Sequence, residues 1–446
     1  MVAAEFRHDE PGTAQTVWAA DPTWATVPPV EIDPQLQRIV VLAAHPDDES
    51  LGAAGLLGTA ARLGLEVELV LATAGERSHP HSPTLPPDRL ARARLAESRA
   101  ALAEVAAGSA TTYLRVPDGQ VAAFEEHLVD VLVRILGDGR HTLLLSPWRH
   151  DGHPDHEACG RAAAVAAHRS GAELLQYPLW FWHWATPEQM PWSRVRRLAL
   201  SPSIASAKRA AIGSHRTQVR PLSPVAGDEQ LLRDDFLEHF LTPSETYLDE
   251  RADDPALDDL HRREADPWGV DSRWYEQRKR ALTVAALPRP IYGRTLEIGC
   301  STGALAADLA ERSRDLLAVD ASPAAVAAAT QRLGARPGVA VERRDLPGDW
   351  PPGEFDLVVL SEVGYFLSPA DLDDLVARID DALGPDGDLV LCHWRHRVEG
   401  WPLDGPAVHD RFRSRLSRPE VGTYRERDFE LTVFSRSPLP EAEAGV

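Results

Sequence analysis

An apolar run that ends in a histidine and three carboxylates is the feature that most constrains the fold of this chain. Residues 38–44 read Arg-Ile-Val-Val-Leu-Ala-Ala, and they run directly into His-Pro-Asp-Asp-Glu at 45–49. A short apolar run rich in branched residues is typical of a buried parallel strand. A helix is predicted over 50–63, so the charged residues lie at the carboxyl end of the strand, where open α/β sheets bind ligands.

A later strand end carries the same residue types. Residues 142–146 predict a second buried strand, and Arg-His-Asp-Gly-His-Pro-Asp-His at 149–156 precedes an Ala-rich helix. A catalytic zinc needs three protein ligands and one open position. His45 and Asp48 can supply two ligands, and the second cluster can supply the third. Each cluster alone also fits a structural role, because carboxylates favour a helix N-terminus, but two clusters at equivalent strand ends favour a metal site.

The two clusters together resemble the PIG-L/LmbE family of zinc-dependent de-N-acetylases, which act on N-acetyl amino sugars and their conjugates. The resemblance implies that His45, Asp48 and His156 bind the metal. It also implies that Asp47 is the general base and that His153 stabilises or protonates the tetrahedral intermediate. The sequence leaves open which of these roles His153 has, and it does not distinguish zinc from iron at such a site.

Other residues of this half also match the family, but they are weaker evidence for a functional role. Arg94 and Glu97, in a helix predicted over 88–107, match a family Arg-x-x-Glu and equally fit a surface ion pair. Arg77 fits either a substrate contact or a solvated loop. Lys208 matches a lysine near the end of the domain, and we interpret it as support for the sheet.

The composition of the whole chain excludes several functional classes. With 446 residues, two or three domains are expected. A net charge of -21 argues against a nucleic-acid backbone as a partner. No apolar run reaches about eighteen residues, so no membrane span is expected, and the first 33 residues lack the pattern of a signal peptide. Three widely spaced cysteines fit a reducing cytoplasm.

The second half predicts a nucleotide-binding βαβ unit. A strand over 294–298 leads into Gly-Cys-Ser-Thr-Gly at 299–303, a helix follows over 304–312, and the next strand ends at Asp320. The glycine spacing differs from the G-x-G-x-x-G of pyrophosphate-binding sites. A nucleoside cofactor without a phosphate, S-adenosylmethionine, fits better. Asp320 can accept both ribose hydroxyls, and Asp345, after the next predicted strand, can accept the adenine amine.

This half resembles the NodS family of S-adenosylmethionine-dependent N-methyltransferases, which methylate the free amine of a de-N-acetylated chitooligosaccharide. The resemblance covers residues 266–437. It is carried by Asp-Pro-Trp at 266–268, Arg-Trp-Tyr-Glu-Gln-Arg-Lys at 273–279, the glycine turn, Ser-Glu-Val-Gly-Tyr at 361–365 and Cys-His-Trp-Arg-His at 392–396.

The NodS resemblance implies roles for single residues. The cofactor is expected to contact Tyr275, Arg278, Glu297, Gly299, Gly303, Asp320 and Asp345. Arg278 is expected to pair with the methionine carboxylate. Glu362, Tyr365 and His393 are expected to face the acceptor. Glu362 or His393 is expected to help remove the ammonium proton, and each of these two equally fits a structural role.

We therefore expect an α/β protein of two domains. The domains are an LmbE-like Rossmann-type deacetylase (34–249) and a class I, Rossmann-like methyltransferase (266–440). An irregular N-terminal segment (1–33) precedes the first domain, and an acidic linker that can also form a solvated helix (250–265) joins the two.

The expected function combines the two implied activities. The first domain would hydrolyse the N-acetyl group of a small-molecule amino sugar, and the second would methylate the freed amine, with zinc and S-adenosylmethionine as cofactors. The alternatives are an amidase and a methyltransferase with separate or non-sugar substrates, or one domain that only binds a cofactor. The sequence leaves the identity of the sugar and the oligomeric state open.

Overall fold

Two seven-stranded sheets organise the chain. The computed structural model describes residues 11–249 and 256–437. It divides the chain into two units, Met1–Ala252 and Asp253–Val446, with one sheet in each. The predicted two-domain α/β architecture is confirmed. Among the described residues, no helix is long and apolar enough to cross a membrane.

The first unit alternates strands and helices. Its strands are β1 (Arg38–Ala43), β2 (Glu66–Leu71), β3 (Ala110–Tyr113), β4 (Thr142–Pro147), β5 (Glu173–Tyr177), β6 (Val195–Ala199) and β7 (Ser244–Leu248). Its helices are α1 (Gln15–Ala19), α2 (Asp48–Gly52), α3 (Ala54–Leu63), α4 (Pro87–Val105), α5 (Glu125–Leu136), α6 (Pro154–Ser170), α7 (Phe181–Trp184), α8 (Pro202–Ser214), α9 (Arg216–Val219) and α10 (Asp234–Leu237).

The sheet of the first unit has the order β3-β2-β1-β4-β5-β7-β6. Strands β3, β2, β1, β4 and β5 are parallel, whereas β7 runs antiparallel to its neighbours. Strand β1 is buried on both faces, because Ile39 and Val41 join one apolar cluster and Val40 and Leu42 join the other. A parallel sheet covered on both faces explains the unbroken apolar run in the sequence.

Two predictions for the first unit need correction. The helix predicted over 50–63 is two helices, since Ala53 leaves the helical conformation with φ -132°. The described part of the segment predicted to be irregular, 11–33, contains α1 and a 3-10 helix at Pro22–Thr26. Trp18 anchors it, because the ring is 1% exposed and its Nε1 donates to the carbonyl of Trp182 at 2.9 Å. The two tryptophans of this segment, Trp18 and Trp24, gave no periodic signal in the sequence.

The second unit has the same architecture. Its strands are β8 (Tyr292–Ile298), β9 (Ser313–Asp320), β10 (Val339–Arg343), β11 (Phe355–Ser361), β12 (Leu383–Trp394), β13 (Glu420–Arg425) and β14 (Phe429–Phe434). Its helices are α11 (Ala256–Arg263), α12 (Trp274–Ala285), α13 (Ala304–Ala310), α14 (Pro323–Leu333), α15 (Pro369–Ala382) and α16 (Gly405–Arg415). Helix α11 lies inside the predicted linker, of which residues 250–255 fall outside the described residues.

The sheet of the second unit has the order β10-β9-β8-β11-β12-β14-β13. Strands β10, β9, β8, β11 and β12 are parallel, and β14 is antiparallel to both β12 and β13. In each unit the chain runs outward in both directions from the central pair of parallel strands, β1 with β4 and β8 with β11. Open α/β sheets bind ligands at this switch point, outside the carboxyl ends of the strands.

Candidate active sites

The switch point of the first sheet brings the two polar clusters together. Strands β1 and β4 pair in parallel, with Val41 opposite Leu145. The chain leaves β1 through His45 into α2, and it leaves β4 through a loop that ends in the first turn of α6. Pro154 at the start of α6 fits that position because its ring presets the helical φ. His156 therefore faces the residues that follow β1.

Three of the predicted ligands converge. Nδ1 of His45 lies 3.2 Å from Nε2 of His156. Nε2 of His156 lies 3.4 Å from Oδ1 of Asp48, and Nδ1 of His45 lies 3.8 Å from Oδ2 of Asp48. All three side chains are buried. Their geometry matches a shared metal position.

The protons of both imidazoles point away from this position. Nδ1 of His156 donates to Oδ2 of Asp151 at 2.7 Å. Nε2 of His45 lies 3.3 Å from Oδ2 of Asp155 and 3.3 Å from Oδ1 of Asp118. Carboxylates only accept hydrogen bonds, so the outer nitrogen of each ring carries a proton, and the facing nitrogens present lone pairs when the rings are neutral. Burial opposes protonation, but the surrounding carboxylates outweigh it and raise the pKa of both histidines, so the site attracts positive charge. Two nitrogens with one oxygen are a ligand set that suits zinc.

Asp47 lies beside the ligand set in a rare backbone conformation, with φ 137°. Its Oδ2 is 3.2 Å from Nη2 of Arg94, and its backbone N–H donates to Oε2 of Glu49 at 3.0 Å. Burial raises the pKa of Asp47 to about 7, against the opposing charge of Arg94. A carboxyl group with a pKa near neutrality suits a general base.

The interpretation of Arg94 and Glu97 as a surface ion pair is wrong. Arg94 is 3% exposed and donates to the carbonyls of Gly75 and Pro46, both at 2.8 Å. Glu97 instead accepts from the backbone and hydroxyl of Thr217, at 3.0 and 2.7 Å. Arginine at helical spacing looks the same in a sequence whether it faces solvent or a buried loop, so only the fold reveals that Arg94 supports Asp47.

His153 is the N-cap of α6, and its Nδ1 accepts from the backbone N–H of Asp155 at 3.2 Å. The ring proton is therefore on Nε2. The ring lies 4.4 Å from that of His156 and 5.0 Å from that of His45. Burial, followed by the charge of the neighbouring histidines, holds the pKa of His153 well below its usual value, so the ring is a neutral donor.

Asp151 and Asp118 were missed by sequence reasoning. Asp151 accepts from His156 and from the backbone N–H groups of Leu179, Trp180 and Phe181, at 2.6 to 3.2 Å. It fixes the start of α6 against the loop after β5. The sequence did show that Asp151 and Asp155 alternate with the histidines of the second cluster. Spacing alone does not tell a carboxylate that binds a metal from one that supports a histidine.

A cavity of about 250 Å³ opens over these residues. One side is polar and includes His45, Asp47, Asp48 and His153. The opposite wall is apolar and consists of Leu179, Trp180, Leu231, Leu232 and Phe236. Trp180 stacks on Phe236 with the ring centroids 4.2 Å apart. Arg77 also lines the cavity, with its backbone N–H held by Asp118 at 2.8 Å.

The switch point of the second sheet holds the glycine turn. Gly299, Ser301 and Gly303 all have positive φ. A Cβ on Gly299 would lie 1.9 Å from Cγ2 of Val363, so only glycine fits there. The carboxylate of Asp320 at the end of β9 accepts from the N–H of Ser301 at 2.9 Å.

Helix α11 lies against this turn. His261 Nε2 is 2.9 Å from the hydroxyl of Ser301. Asp258 accepts from the hydroxyl of Ser322 at 2.6 Å and from the backbone N–H of Ala324 at 3.1 Å. The helix is therefore held at the turn and at the start of α14.

The buried polar atoms that lack partners among the described residues include Oε2 of Glu297, which ends β8 just before the turn, the hydroxyl of Thr302 in the turn, and the hydroxyl of Tyr275. Glu297 is 2% exposed, and burial, with a contribution from Asp320, raises its pKa to about 8. A buried carboxylate oxygen without a donor is costly. A cofactor that carries an ammonium group and ribose hydroxyls supplies donors of the required kind, so these residues fit S-adenosylmethionine.

The surroundings of two further predicted cofactor residues, Arg278 and Asp345, are as follows. Arg278 forms a bidentate pair with Glu426, at 2.9 and 3.0 Å, and donates to the hydroxyl of Tyr424 at 2.8 Å. The structure thus directs its guanidinium towards the region after β13. Asp345 is exposed beyond β10.

Glu362 follows β11 and has a positive φ of 61°. Its Oε1 accepts from Nζ of Lys279 at 2.6 Å, and its Oε2 accepts from the backbone N–H of Trp394 at 3.1 Å and from the hydroxyl of Tyr365. The carboxylate is therefore held by three donors at the carboxyl end of the strand. Tyr365 was expected to face the acceptor with Glu362, whereas Lys279 was not assigned a role with Glu362 from the sequence, because it lies in a separate segment.

His393 lies in a structural place. It is fully buried, its Nε2 accepts from the N–H of Gly364 at 3.2 Å, and its Nδ1 is 3.2 Å from Nε2 of His409. His409 in turn contacts the hydroxyl of Thr432 at 2.8 Å. Burial lowers the pKa of His393 to about 3. With both nitrogens engaged, the geometry favours the structural interpretation of this residue.

Comparison with known proteins finds a match for a region in each half of the chain. The PIG-L family model, GlcNAc-PI de-N-acetylase, matches residues 40–167, and a methyltransferase-domain model matches residues 296–389. Nodulation protein S of Sinorhizobium fredii is 32% identical over 137 residues, which cover 30% of this chain and 63% of that protein. "Probable N-acetyl-alpha-D-glucosaminyl L-malate deacetylase 2" of Bacillus subtilis is 31% identical over 142 residues, which cover 31% of this chain and 63% of that protein.

A solved structure was also matched. The N-methyltransferase NodS from Bradyrhizobium japonicum WM9, in complex with S-adenosyl-L-homocysteine, is 24% identical, with 40% of this chain and 96% of that chain covered and a TM-score of 0.38. The chain spans 63% of the length of each of the two curated relatives. The chain therefore joins a region that matches the PIG-L deacetylase family model (40–167) to a region that matches a methyltransferase-domain model (296–389), and it is similar to nodulation protein S.

Proposed function

We propose that the chain removes the N-acetyl group of an amino sugar with a bound zinc ion and then methylates the freed amine with S-adenosylmethionine. The observation that carries the first step is the convergence of His45, His156 and Asp48 on one buried position. The second step is supported by the similarity to nodulation protein S and by the unpartnered Glu297 at the glycine turn. We propose domains over 34–249 and 266–440, with a linker over 250–265.

In the first step, His45, Asp48 and His156 would hold the metal. When bound, zinc lowers the pKa of water and polarises the amide carbonyl. Asp47 takes the proton from the attacking water, since its carboxyl lies beside the ligand set and its pKa is near neutrality. Neutral His153 donates from Nε2 to the oxygen on which negative charge develops. Asp47 then returns the proton to the leaving amine.

Arg94 keeps Asp47 in place during this exchange. Its guanidinium joins Asp47 to the carbonyls of Pro46 and Gly75, so that the base cannot turn away from the cavity. Asp151 and Asp155 orient the two ligand imidazoles from behind. Supporting carboxylates of this kind fix the tautomer and ring direction of metal-binding histidines.

In the second step, Tyr275, Glu297, the glycine turn and Asp320 would bind the cofactor, which supplies an electrophilic methyl group. Transfer to an amine requires alignment of nitrogen, methyl carbon and sulfur and a free lone pair on nitrogen. Glu362, at the end of β11, is the carboxylate we assign to the amine. His393 has no proposed part in the transfer because both its nitrogens bond within the protein.

An amino sugar is the substrate class that suits both domains. The matched Bacillus subtilis protein is named as a deacetylase of an N-acetylglucosaminyl compound. The cavity of about 250 Å³ lies just below the usual range for ligand pockets, which suits one sugar residue at a time. Its aromatic wall provides a surface on which the apolar face of a pyranose ring can stack.

Mass spectrometry tests the order of the two steps. Zinc-loaded protein with N,N′-diacetylchitobiose is expected to release acetate without the second cofactor, and to add one or more methyl groups once S-adenosylmethionine is present. Chemically deacetylated sugar should be methylated without the metal site, for instance in an Asp48→Asn variant. Methylation of an oxygen, or of an amine unrelated to the deacetylated product, would instead favour separate substrates for the two domains.

A further inference from the structure

The chain contains only two lysines, Lys208 and Lys279, although it has 47 lysines and arginines in total. Both are buried, at 3% and 6% exposed. Lysine is among the residue types that are least often buried. An ammonium group is a compact point charge with three donors, whereas guanidinium is a planar fork. The two buried sites therefore use a property of lysine that arginine does not supply.

Lys208 has a purely structural environment. Its Nζ donates to the carbonyl of Leu51 and to Oε1 of Glu245, both at 2.7 Å. Glu245 also accepts from the backbone N–H groups of Gly55 and Leu56, at 2.6 and 2.9 Å. One cation thus matches one carboxylate that also binds the start of α3. Lys208 serves below as an internal reference.

Lys279 has a different charge environment. Its Nζ lies 2.6 Å from Oε1 of Glu362 and 2.9 Å from Oε2 of Glu276, and 5.1 Å from the centre of the Tyr275 ring. Burial alone would lower the pKa of Lys279, but the two carboxylates outweigh it and raise the pKa. Two carboxylates around one ammonium leave an excess of one negative charge at the carboxyl end of β11.

The other titratable groups around Lys279 are neutral. They face it from α12, from the turn after β11 and from β12. Burial raises the pKa of the Tyr365 hydroxyl well above its usual value and that of the Cys392 thiol to about 12. Burial lowers the pKa of His393 to about 3 and raises that of Tyr275 beyond its usual range. The ammonium and the carboxylates of Glu276 and Glu362 therefore carry the charge of this cluster.

The structure holds Glu362 in an unfavourable backbone conformation. A positive φ is strained in a residue other than glycine, and Glu362 has φ 61°. Lys279, Tyr365 and the N–H of Trp394 together occupy three of the roughly four acceptor sites of its carboxylate. The carboxylate is thus fixed in direction, with one acceptor site left for a ligand.

We propose that Lys279 is a positioning residue of the methyl-acceptor site, where its ammonium group fixes Glu362 as the carboxylate that binds a protonated amine. This inference rests on the N-methylation proposed above and makes an ammonium, not a neutral hydroxyl, the acceptor class. The incoming cation balances the excess carboxylate, so that two cations face two carboxylates. An alcohol would leave that negative charge uncompensated.

The proposed step is balanced. The bound ammonium gives one proton to the remaining acceptor site of Glu362, so an N–H bond breaks and an O–H bond forms. The nitrogen lone pair then takes the methyl group, and the electron pair of the broken S–C bond stays on sulfur, which becomes a neutral thioether. The product is a protonated methylamine, and Glu362 releases its proton to solvent.

Nuclear magnetic resonance can test the contact without turnover. Protein labelled with 13C at lysine Cε gives two lysine resonances, which Lys208→Arg and Lys279→Arg assign. With S-adenosylhomocysteine bound, glucosamine is expected to shift the Lys279 resonance and leave that of Lys208 unchanged. In Glu362→Gln the Lys279 resonance should titrate at a lower pH than in the wild type, because one of its two carboxylates is gone.

Kinetics provide the second test. Lys279→Met removes the charge, and we expect KM for the amine to rise about tenfold or more, as for a lost charge pair. The methylation rate rises with pH, and in this variant the rise is expected at a higher pH than in the wild type. Lys279→Arg should recover part of the loss. Affinity for S-adenosylhomocysteine and the deacetylase rate of the same variant protein show that both units remain folded.

The outcomes separate this inference from the proposed function. If the wild type methylates no amine, the proposed function fails, and the resonance experiments still decide whether Lys279 and Glu362 act together. The inference is overturned if glucosamine does not shift the Lys279 resonance and Glu362→Gln does not change the pH at which it titrates. It is also overturned by a Lys279→Met variant whose KM for the amine and pH profile match those of the wild type.

Discussion

The imidazole rings of His45 and His156 face each other nitrogen to nitrogen, with Nδ1 and Nε2 3.2 Å apart, while the far side of each ring contacts a carboxylate. When both rings are neutral, the two facing nitrogens present lone pairs. A cation between the rings can bind both nitrogens, which supports the proposed metal site.

Removal of metal should therefore destabilise the protein. Because a metal that binds only the folded protein stabilises it, a chelator is expected to lower the melting temperature, and added zinc should restore it by an amount that grows with zinc concentration. Differential scanning calorimetry measures the change. His156→Asn should abolish the response. His168→Asn, an exposed histidine on the same helix, is the matched control and should respond like the wild type.

Asp151 should control metal affinity without touching the metal. Asp151→Asn weakens the acceptor for His156 Nδ1, so the ring loses its orientation, and zinc affinity is expected to fall about 10- to 100-fold. Competition with a fluorescent chelator measures the affinity. An unchanged affinity would show that the loop after β5, and not the carboxylate, positions His156.

Asp47 should act on chemistry rather than on binding. Asp47→Asn keeps the size of the side chain and removes the base, so deacetylation is expected to slow about 10²- to 10⁴-fold. The zinc content, measured by mass spectrometry of the metal, should stay at the wild-type level. Loss of zinc together with activity would instead make Asp47 a ligand.

The convergence of His45, Asp48 and His156 was predictable because its signal is local. His45 and Asp48 are three residues apart after one strand, and His156 lies at the start of the helix after another, so parallel strands alone bring them together. Arg94 and Lys279 were not predictable in this way. Each reaches a site from the middle of a helix, where a buried cation and a solvated one occupy the same periodic positions.

The buried histidines of the second unit should make its stability depend on pH. Burial lowers the pKa of both His393 and His409 to about 3, whereas an unfolded histidine titrates near 6.5. Between these values the unfolded chain binds more protons than the folded one. The stabilisation is thus complete above about pH 6.5 and is lost as the pH falls towards 3.

Replacing one of them tests this account. In His409→Gln the free energy of unfolding should fall less steeply on acidification, by about 1.4 kcal/mol per pH unit between pH 4 and 6. Urea denaturation at several pH values gives the slope. A variant and a wild type with parallel pH dependence would mean that His409 is charged in the folded protein.

Substitution of Gly299 can distinguish the effect of backbone strain from that of a steric clash with Val363. Gly299→Ala places a methyl group 1.9 Å from Val363 at φ 76°, whereas at Gly334 (φ 60°) a Cβ would meet nothing within 4 Å. Both substitutions strain a positive φ, by roughly 1 kcal/mol. Only Gly299→Ala is expected to weaken binding of S-adenosylhomocysteine, measured by calorimetry. Equal losses in both variants would assign the effect to general destabilisation.

The most direct measurement follows one nitrogen through both steps. The substrate is an N-acetyl amino sugar with 15N in the acetamide, supplied with zinc-loaded protein and with S-adenosylmethionine labelled with 13C in the methyl group. The account predicts a product in which 13C and 15N show a one-bond coupling by nuclear magnetic resonance. A 13C methyl on any other atom, beside a 15N amine that is free or still acetylated, would contradict it.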